Sequence, residues 1–226
     1  MELKVSRETL RFERLIAAQE EQVGVEGEAT LPGSMRDAVT VLSVQAQAYL
    51  EDAQATAGGM TLRGHVSFQA LYTQGDLTRI RAMETTCDFE HSIDAPELQP
   101  DMRVNASVAV QETEGTAASG RMTLRALLDL QIEAFETTRQ ALVTDAAGDA
   151  DALRTRMQRV AFCRTAPLGE EKTLVREEFD LPARLEVGDV LSATGEAAVA
   201  ELTGGAGRIG VSGTVEVRVL HRPQEA

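Results

Sequence analysis

Two segments of the chain alternate between apolar and polar positions, and both begin with the same four letters, MTLR. In the first segment, one face of the alternation comprises Met60, Leu62, Gly64, Val66, Phe68, Ala70 and Tyr72. In the second segment, the corresponding face comprises Met122, Leu124, Ala126, Leu128, Leu130, Ile132 and Ala134. A period of two with a polar opposite face is typical of a half-buried β-strand, so both faces are predicted to lie in a core.

A third segment has the same frame, with an apolar face of Ile209, Val211, Gly213, Val215, Val217 and Val219. Each of the three segments follows a glycine-containing turn, and another alternating run precedes each turn, at residues 42–50, 104–110 and 191–199. The repeated unit is therefore a β-hairpin. We predict an all-β fold with little helix, a β-sandwich or barrel-like module built from repeated antiparallel hairpins.

A longer repeat is also present, because QVGVEGEATLP, ending at Pro32, matches KTLVREEFDLP, ending at Pro182. This match predicts an internal duplication, with a first module over residues 1–145 and a partial second module over residues 151–226. The N-terminal segment contains good helix formers, but Pro167 stands where Ala17 stands in the other copy, which favours a strand. The second copy is expected to leave a strand edge open, which predicts either association of copies through sheet edges or closure of that edge by the first copy into one continuous sheet.

Composition narrows the class of protein. Hydrophobic residues make up 43% of the chain, which is sufficient for a core, and the net charge of −14 makes nucleic acid an unfavourable partner. No apolar run approaches the length of a membrane span, and charged residues stand where a signal peptide needs its apolar stretch. Cys87 and Cys163 occupy different places in the duplication, so reduced thiols in a cytoplasmic compartment are expected.

The sequence shows little that resembles catalytic chemistry. His65, His91 and His221 form no recognised metal spacing, and His65 is expected to be solvated on the polar face of its strand. Cys87 and His91 are four residues apart, but the surrounding sequence looks extended, so a structural role is favoured over a metal or thiolate site. We predict no catalytic, cofactor-binding or metal-binding residue, no cofactor and no enzyme activity.

Glycines in two contexts are assigned structural roles. The glycine-rich stretch at residues 204–210 lacks the ending and the strand-to-helix context of a phosphate loop, and it is predicted to be a hairpin turn. Gly64 and Gly213 lie inside strands, where glycine marks a bulge or a close approach of backbone, so packing is favoured over ligand binding.

The order of GEATLP, VLSVQAQAYL, MTLRGHVSFQALY and CDFEHSIDAP resembles the SPOCS domain, which occurs in proteins of spore-forming bacteria that help to assemble the spore coat. The resemblance implies a non-enzymatic scaffold that binds a coat morphogenetic ATPase, in the mother-cell cytoplasm at the forespore or spore coat surface. Many members end in a LysM module that binds glycans. No LysM-like segment follows within these 226 residues, so either the sequence is part of a longer protein or this member departs from that layout.

Our interpretation is a protein–protein interaction scaffold in spore coat or envelope assembly. The alternative is a carbohydrate-binding or peptidoglycan-binding β-sandwich, which would need exposed aromatic rings to stack on sugars. The chain contains no Trp, two Tyr and six Phe. Tyr72, Phe68, Phe12 and Phe162 already have core or repeat roles, which favours the scaffold.

Overall fold

The computed structural model describes residues 4–33, 39–75, 79–147, 156, 158–159, 161, 173–178, 180, 187–205 and 207–223. Regular structure in these ranges is almost entirely β-strand, which confirms the all-β class and the extended N-terminal segment. The strands are β1 (Lys4–Thr30), β2 (Val39–Thr56), β3 (Gly59–Gln74), β4 (Ile80–Asp94), β5 (Arg103–Ala118), β6 (Arg121–Ala147), β7 (Val187–Gly205) and β8 (Arg208–Pro223). No helix among the described residues has the length and apolar character needed to cross a membrane.

The strands form three antiparallel sheets, with the orders β2-β3-β4, β1-β6-β5 and β7-β8. The two MTLR segments begin β3 and β6, so the repeated motif marks the central strand of each three-stranded sheet. The predicted hairpins β2–β3, β5–β6 and β7–β8 are all present. Their turns use backbone with positive φ at Gly58 (82°), Gly120 (78°) and Gly207 (76°), where a side chain would be strained.

The two three-stranded sheets pack face to face, and the predicted core faces of β3 and β6 are confirmed. The side chains of Leu62, Val66, Phe68, Leu124, Leu128 and Leu130 are all 0% exposed. The start of β3 packs with the end of β6, since Met60 and Ile132 share one cluster, while Tyr72 and Met122 share the other. The two central strands therefore run in opposite directions across the core, and an approximate two-fold rotation relates their hairpins.

Polar contacts join the two three-stranded sheets at both sides. At one side β2 lies beside β5, where the Thr113 hydroxyl donates to the carbonyl of Val44 at 2.8 Å. At the other side β4 lies beside β1, where the Cys87 thiol donates to the carbonyl of Glu26 at 3.1 Å. These contacts satisfy backbone acceptors at the rims of the two sheets.

In two places the burial of side chains differs from what the alternation predicts. Leu42 is 41% exposed, because a bulge between Val41 and Ser43 inserts one residue and transfers the inward direction to Val41. The apolar face of β8 is also exposed, although the same pattern buries the corresponding face of β3. Cys163 and most of the second-copy segment at residues 160–182 lie outside the described residues.

Candidate interaction surface

The solvent side of the β2-β3-β4 sheet carries three cross-strand rows of polar side chains, which we call the outer face. The ladder registers place the members of each row opposite one another: Gln45, Gln69 and Glu84; Gln47, Ser67 and Thr86; Tyr49, His65 and Asp88. The face follows directly from the period of a strand, because every second residue points away from the core.

An exposed tyrosine is fixed at one end of the outer face. The rings of Tyr49 and His65 stack with centroids 5.0 Å apart at an interplanar angle of 27°. The Tyr49 hydroxyl donates to Gln47 Oε1 at 2.6 Å, and His65 Nδ1 lies 2.7 Å from Glu51 Oε1. Tyr49 is nonetheless 46% exposed, so its ring is held in one orientation while much of its surface faces solvent.

The backbone beneath this cluster is shaped by a bulge. The register shifts between Leu50 and Asp52, which leaves Glu51 as the additional residue that reaches His65. Gly64 lies opposite Leu50, and a Cβ atom at Gly64 would stand 2.1 Å from the carbonyl oxygen of Tyr49. The expected close approach of backbone at Gly64 is confirmed. It allows β2 to place Tyr49 against His65 of β3.

Carboxylates outnumber basic groups on and beside the outer face. Arg63 pairs with Glu90 at 2.8 Å, and Glu84 accepts a hydrogen bond from Gln69 at 2.9 Å. Glu51 and Asp88 add two further carboxylates to the same side of the sheet. Most of this surface is solvent-exposed, so it presents a negative potential to an approaching molecule.

A polar groove of about 510 Å³ continues from the outer face to the neighbouring strands. Four glutamines contribute to its lining, with Gln45, Gln47 and Gln69 on one side and Gln111 of β5 on the other. An amide both donates and accepts hydrogen bonds, which suits the groove to polar backbone or side-chain groups of a partner. Ala193 and Thr194 of β7 also line the groove.

The residues considered for metal chemistry are not brought together. Cys87 and His91 both lie on β4, which is extended, so four residues separate their Cα atoms by about 13 Å. The Cys87 thiol contacts the backbone of β1 instead of another ligating side chain. In the ranges that the structure describes, no group of His, Cys, Asp and Glu side chains is arranged to bind a metal ion.

The structure locates the other histidines and finds a residue that sequence reasoning passed over. His65 lies on the polar face, as expected, but it stacks on Tyr49 and only 30% of its side chain is exposed. His221 is half-buried near the end of β8, opposite Val190. Tyr49 received no role from the sequence, although an aromatic residue at a polar position of VQAQAYL was a signal for it.

Comparison with known proteins identifies one family. Residues 37–117, about a third of the chain, match the family model described as SipL, SPOCS domain. No curated protein and no solved structure matches the chain. The match runs from the residues just before β2 almost to the end of β5, so it includes the whole outer face, and it supports a sporulation-related role.

Proposed function

Because residues 37–117 match the family model of the SPOCS domain, we propose that this chain is a non-enzymatic protein–protein interaction scaffold in spore coat or envelope assembly. The observation that carries the proposal is the fixed, exposed ring of Tyr49 at the end of a polar face. Tyrosine is enriched at interfaces, because a rigid amphipathic ring provides a large contact area at a small cost in conformational entropy. A ring already held by Gln47 and His65 loses still less freedom on binding.

The charge of the outer face selects the chemistry of the partner. Exposed carboxylates at Glu51, Glu84 and Asp88 favour a partner surface that carries Arg or Lys, and the amides of the groove offer hydrogen bonds to its polar groups. The resemblance to SPOCS proteins implies a coat morphogenetic ATPase as that partner. The proposed location is the mother-cell side of the forespore or the spore coat surface.

A non-enzymatic role is supported by the way the titratable groups of the outer face are used. Arg63 and Glu90 are both more than half exposed and bind each other, and Glu51 binds His65. These four groups are therefore engaged in cross-strand contacts on an open surface. General acid–base catalysis depends on a positioned group with a pKa tuned by burial or neighbours, usually in a cleft.

The experiment measures binding between the purified chain and the purified coat morphogenetic ATPase of the same organism. We expect Tyr49→Ala to raise Kd by at least about 30-fold, the loss that corresponds to an interface hot spot. Leu15→Ala is the matched control, because Leu15 is also half exposed, at 50%, but lies on β1, outside the outer face. Raising the salt concentration should lower the association rate if the carboxylates steer the partner.

Two results would contradict the proposal. Wild-type chain that does not bind the ATPase would exclude this partner, and an unchanged Kd for Tyr49→Ala would exclude the outer face as the binding surface. Co-sedimentation with purified peptidoglycan that is lost in Tyr49→Ala would instead support the carbohydrate-binding alternative, because a single exposed ring can also stack on a sugar. Circular dichroism of each variant establishes that the fold is retained.

A further inference from the structure

The β7–β8 hairpin reproduces the β2–β3 hairpin at a fixed offset. The register of β2 shifts at Leu42 and at Glu51, and that of β7 shifts at Leu191 and at Ala200. Each of these two bulges of β7 lies 149 residues after the corresponding bulge of β2 (191 − 42 and 200 − 51). A further shift between Val187 and Val190, at the start of β7, has no counterpart in β2. Because a bulge changes the direction of every side chain that follows it, coincident bulges give the two hairpins the same faces.

The strand glycines show the same correspondence. A Cβ atom at Gly64 would lie 2.1 Å from the carbonyl oxygen of Tyr49, and one at Gly213 would lie 2.2 Å from that of Ala198. Both the glycines and the carbonyls are again 149 residues apart (213 − 64 and 198 − 49). The side chains of β8 can therefore be compared one by one with those of β3.

This comparison shows an apolar face that no other strand covers among the residues that the structure describes. Leu62, Val66 and Phe68 of β3 are 0% exposed, whereas their counterparts Val211, Val215 and Val217 are 63%, 49% and 56% exposed. We call this surface the bare face, and none of its members is charged: Ala193, Gly195, Ala197, Val199, Leu202, Ile209, Val211, Val215, Val217 and Val219. Charged residues of the hairpin, such as Glu196, Glu216 and Arg218, occupy the opposite face.

The sandwich formed by the two three-stranded sheets shows what covers such a face. The inner face of β2–β3 is covered by β5–β6, a hairpin whose second strand begins with the same MTLR motif, and the two are related by an approximate two-fold rotation. We infer that the bare face pairs with the bare face of a second copy of this chain. Two identical hairpins placed in this way would form a symmetric interface around a true two-fold axis.

Charge favours a second copy at this surface in particular. Each chain has a net charge of −14, so most pairs of surfaces on two copies repel each other. The bare face allows close approach without burying a charged group, because Glu196 and Glu216 point away from it. Apolar surface removed from water then supplies the attraction.

The dimensions of the hairpin set the expected strength. Strand rise and spacing give a face about 35 Å long and 10 Å wide, so a face-to-face pair would bury on the order of 700 Å² in total. Interfaces below about 1,200 Å² are characteristic of weak, transient complexes. We therefore expect a reversible dimer that forms as the concentration rises through the micromolar range.

Sedimentation velocity of the intact chain over a range of micromolar concentrations tests the inference. The wild-type mass should rise from 24.3 kDa towards twice that value. Val215→Glu, which places a charge in the bare face, should remain monomeric throughout, whereas Thr214→Glu should dimerise as the wild type does. Thr214 is the adjacent residue on the opposite face of the same strand, which makes it a matched control.

Hydrogen exchange of the wild type provides a measurement that does not depend on a variant folding correctly. Protection of residues 209–219 should increase with concentration, while that of residues 60–72 should not change. A wild type that stays monomeric at every concentration would overturn the inference. A dimer that survives Val215→Glu would overturn it as well, because copies joined only at strand edges would tolerate a charge on the face.

Discussion

Replacing Gly64 with alanine tests the geometry that supports both the core and the outer face. Gly64 lies in the middle of β3, where an added Cβ atom would stand 2.1 Å from the carbonyl oxygen of Tyr49 and 2.9 Å from Cζ of Phe89. The first of these atoms belongs to the backbone of β2, and the second belongs to a ring that is only 9% exposed. Neither atom can move without disturbing the sheet or the core.

The cost follows from the size of this overlap. An ordinary carbon–oxygen contact would require β2 to retreat by more than about 1 Å, and overpacking of this kind costs about 1–3 kcal/mol or more. Because a backbone atom and a buried ring both restrict the space at Gly64, we expect Gly64→Ala to lose about 3 kcal/mol of unfolding free energy. In a chain of this length, that loss lowers Tm by about 6–12 °C. Alanine is otherwise the better strand residue by about 0.5–1 kcal/mol, so the measured value includes this small gain.

Gly24→Ala is the matched control, because Gly24 lies in β1 and no heavy atom of the described residues is within 4 Å of the added Cβ position. We expect this variant to melt at or slightly above the wild-type temperature. Thermal and urea denaturation followed by circular dichroism measure both variants, and the urea midpoint gives the free energy of unfolding. If Gly64→Ala were as stable as Gly24→Ala, β2 could not approach β3 as closely as described, and the bulge at Glu51 would be misplaced.

Three further predictions concern the core, an ion pair and the thiol. Leu128→Ala should lose about 2–5 kcal/mol of unfolding free energy, because Leu128 is 0% exposed, whereas Leu142→Ala, at a site 39% exposed, should change it by less than about 0.5 kcal/mol in urea denaturation. Arg103→Met should lose about 1.5–3 kcal/mol of unfolding free energy, since Nε and Nη2 of its guanidinium both donate to the part-buried carboxylate of Glu13 on β1. Arg14→Met, which breaks an exposed ion pair, should lose less than about 1 kcal/mol; equal losses would contradict this assignment. Cys87→Ser should leave Tm nearly unchanged, because a hydroxyl can donate to the same carbonyl, and elemental analysis should find no stoichiometric zinc in either protein; zinc lost on substitution would reopen a catalytic interpretation.

The core strands could be predicted because side-chain direction in a strand is a local property. Phe68 and Leu128 were assigned to a buried face from the period of two alone, and both are 0% exposed. Leu42 shows the limit of this reasoning, since one bulge reverses the direction of the residues that follow it. A bulge depends on the partner strand, so the alternation in a single strand does not reveal it.

The candidate surface depended on strand register, which the sequence did not supply. The polar side of the β3 pattern predicted a solvated His65, but only the pairing of β2 with β3 places Tyr49 against that ring and brings Glu51 within hydrogen-bond distance. Family resemblance pointed to the segment that contains these residues, and the match over residues 37–117 confirms it.

The sequence by itself determined the strands, their hairpins and the apolar face that each presents, because these follow from the period of the backbone and from glycine at turns. Only the tertiary structure decided which of those faces are covered. Val66 and Val215 hold equivalent places in two similar hairpins, yet the first is 0% exposed and the second 49%. A side chain is buried only when a second surface covers it, and the residues of one strand specify only the first of these two surfaces.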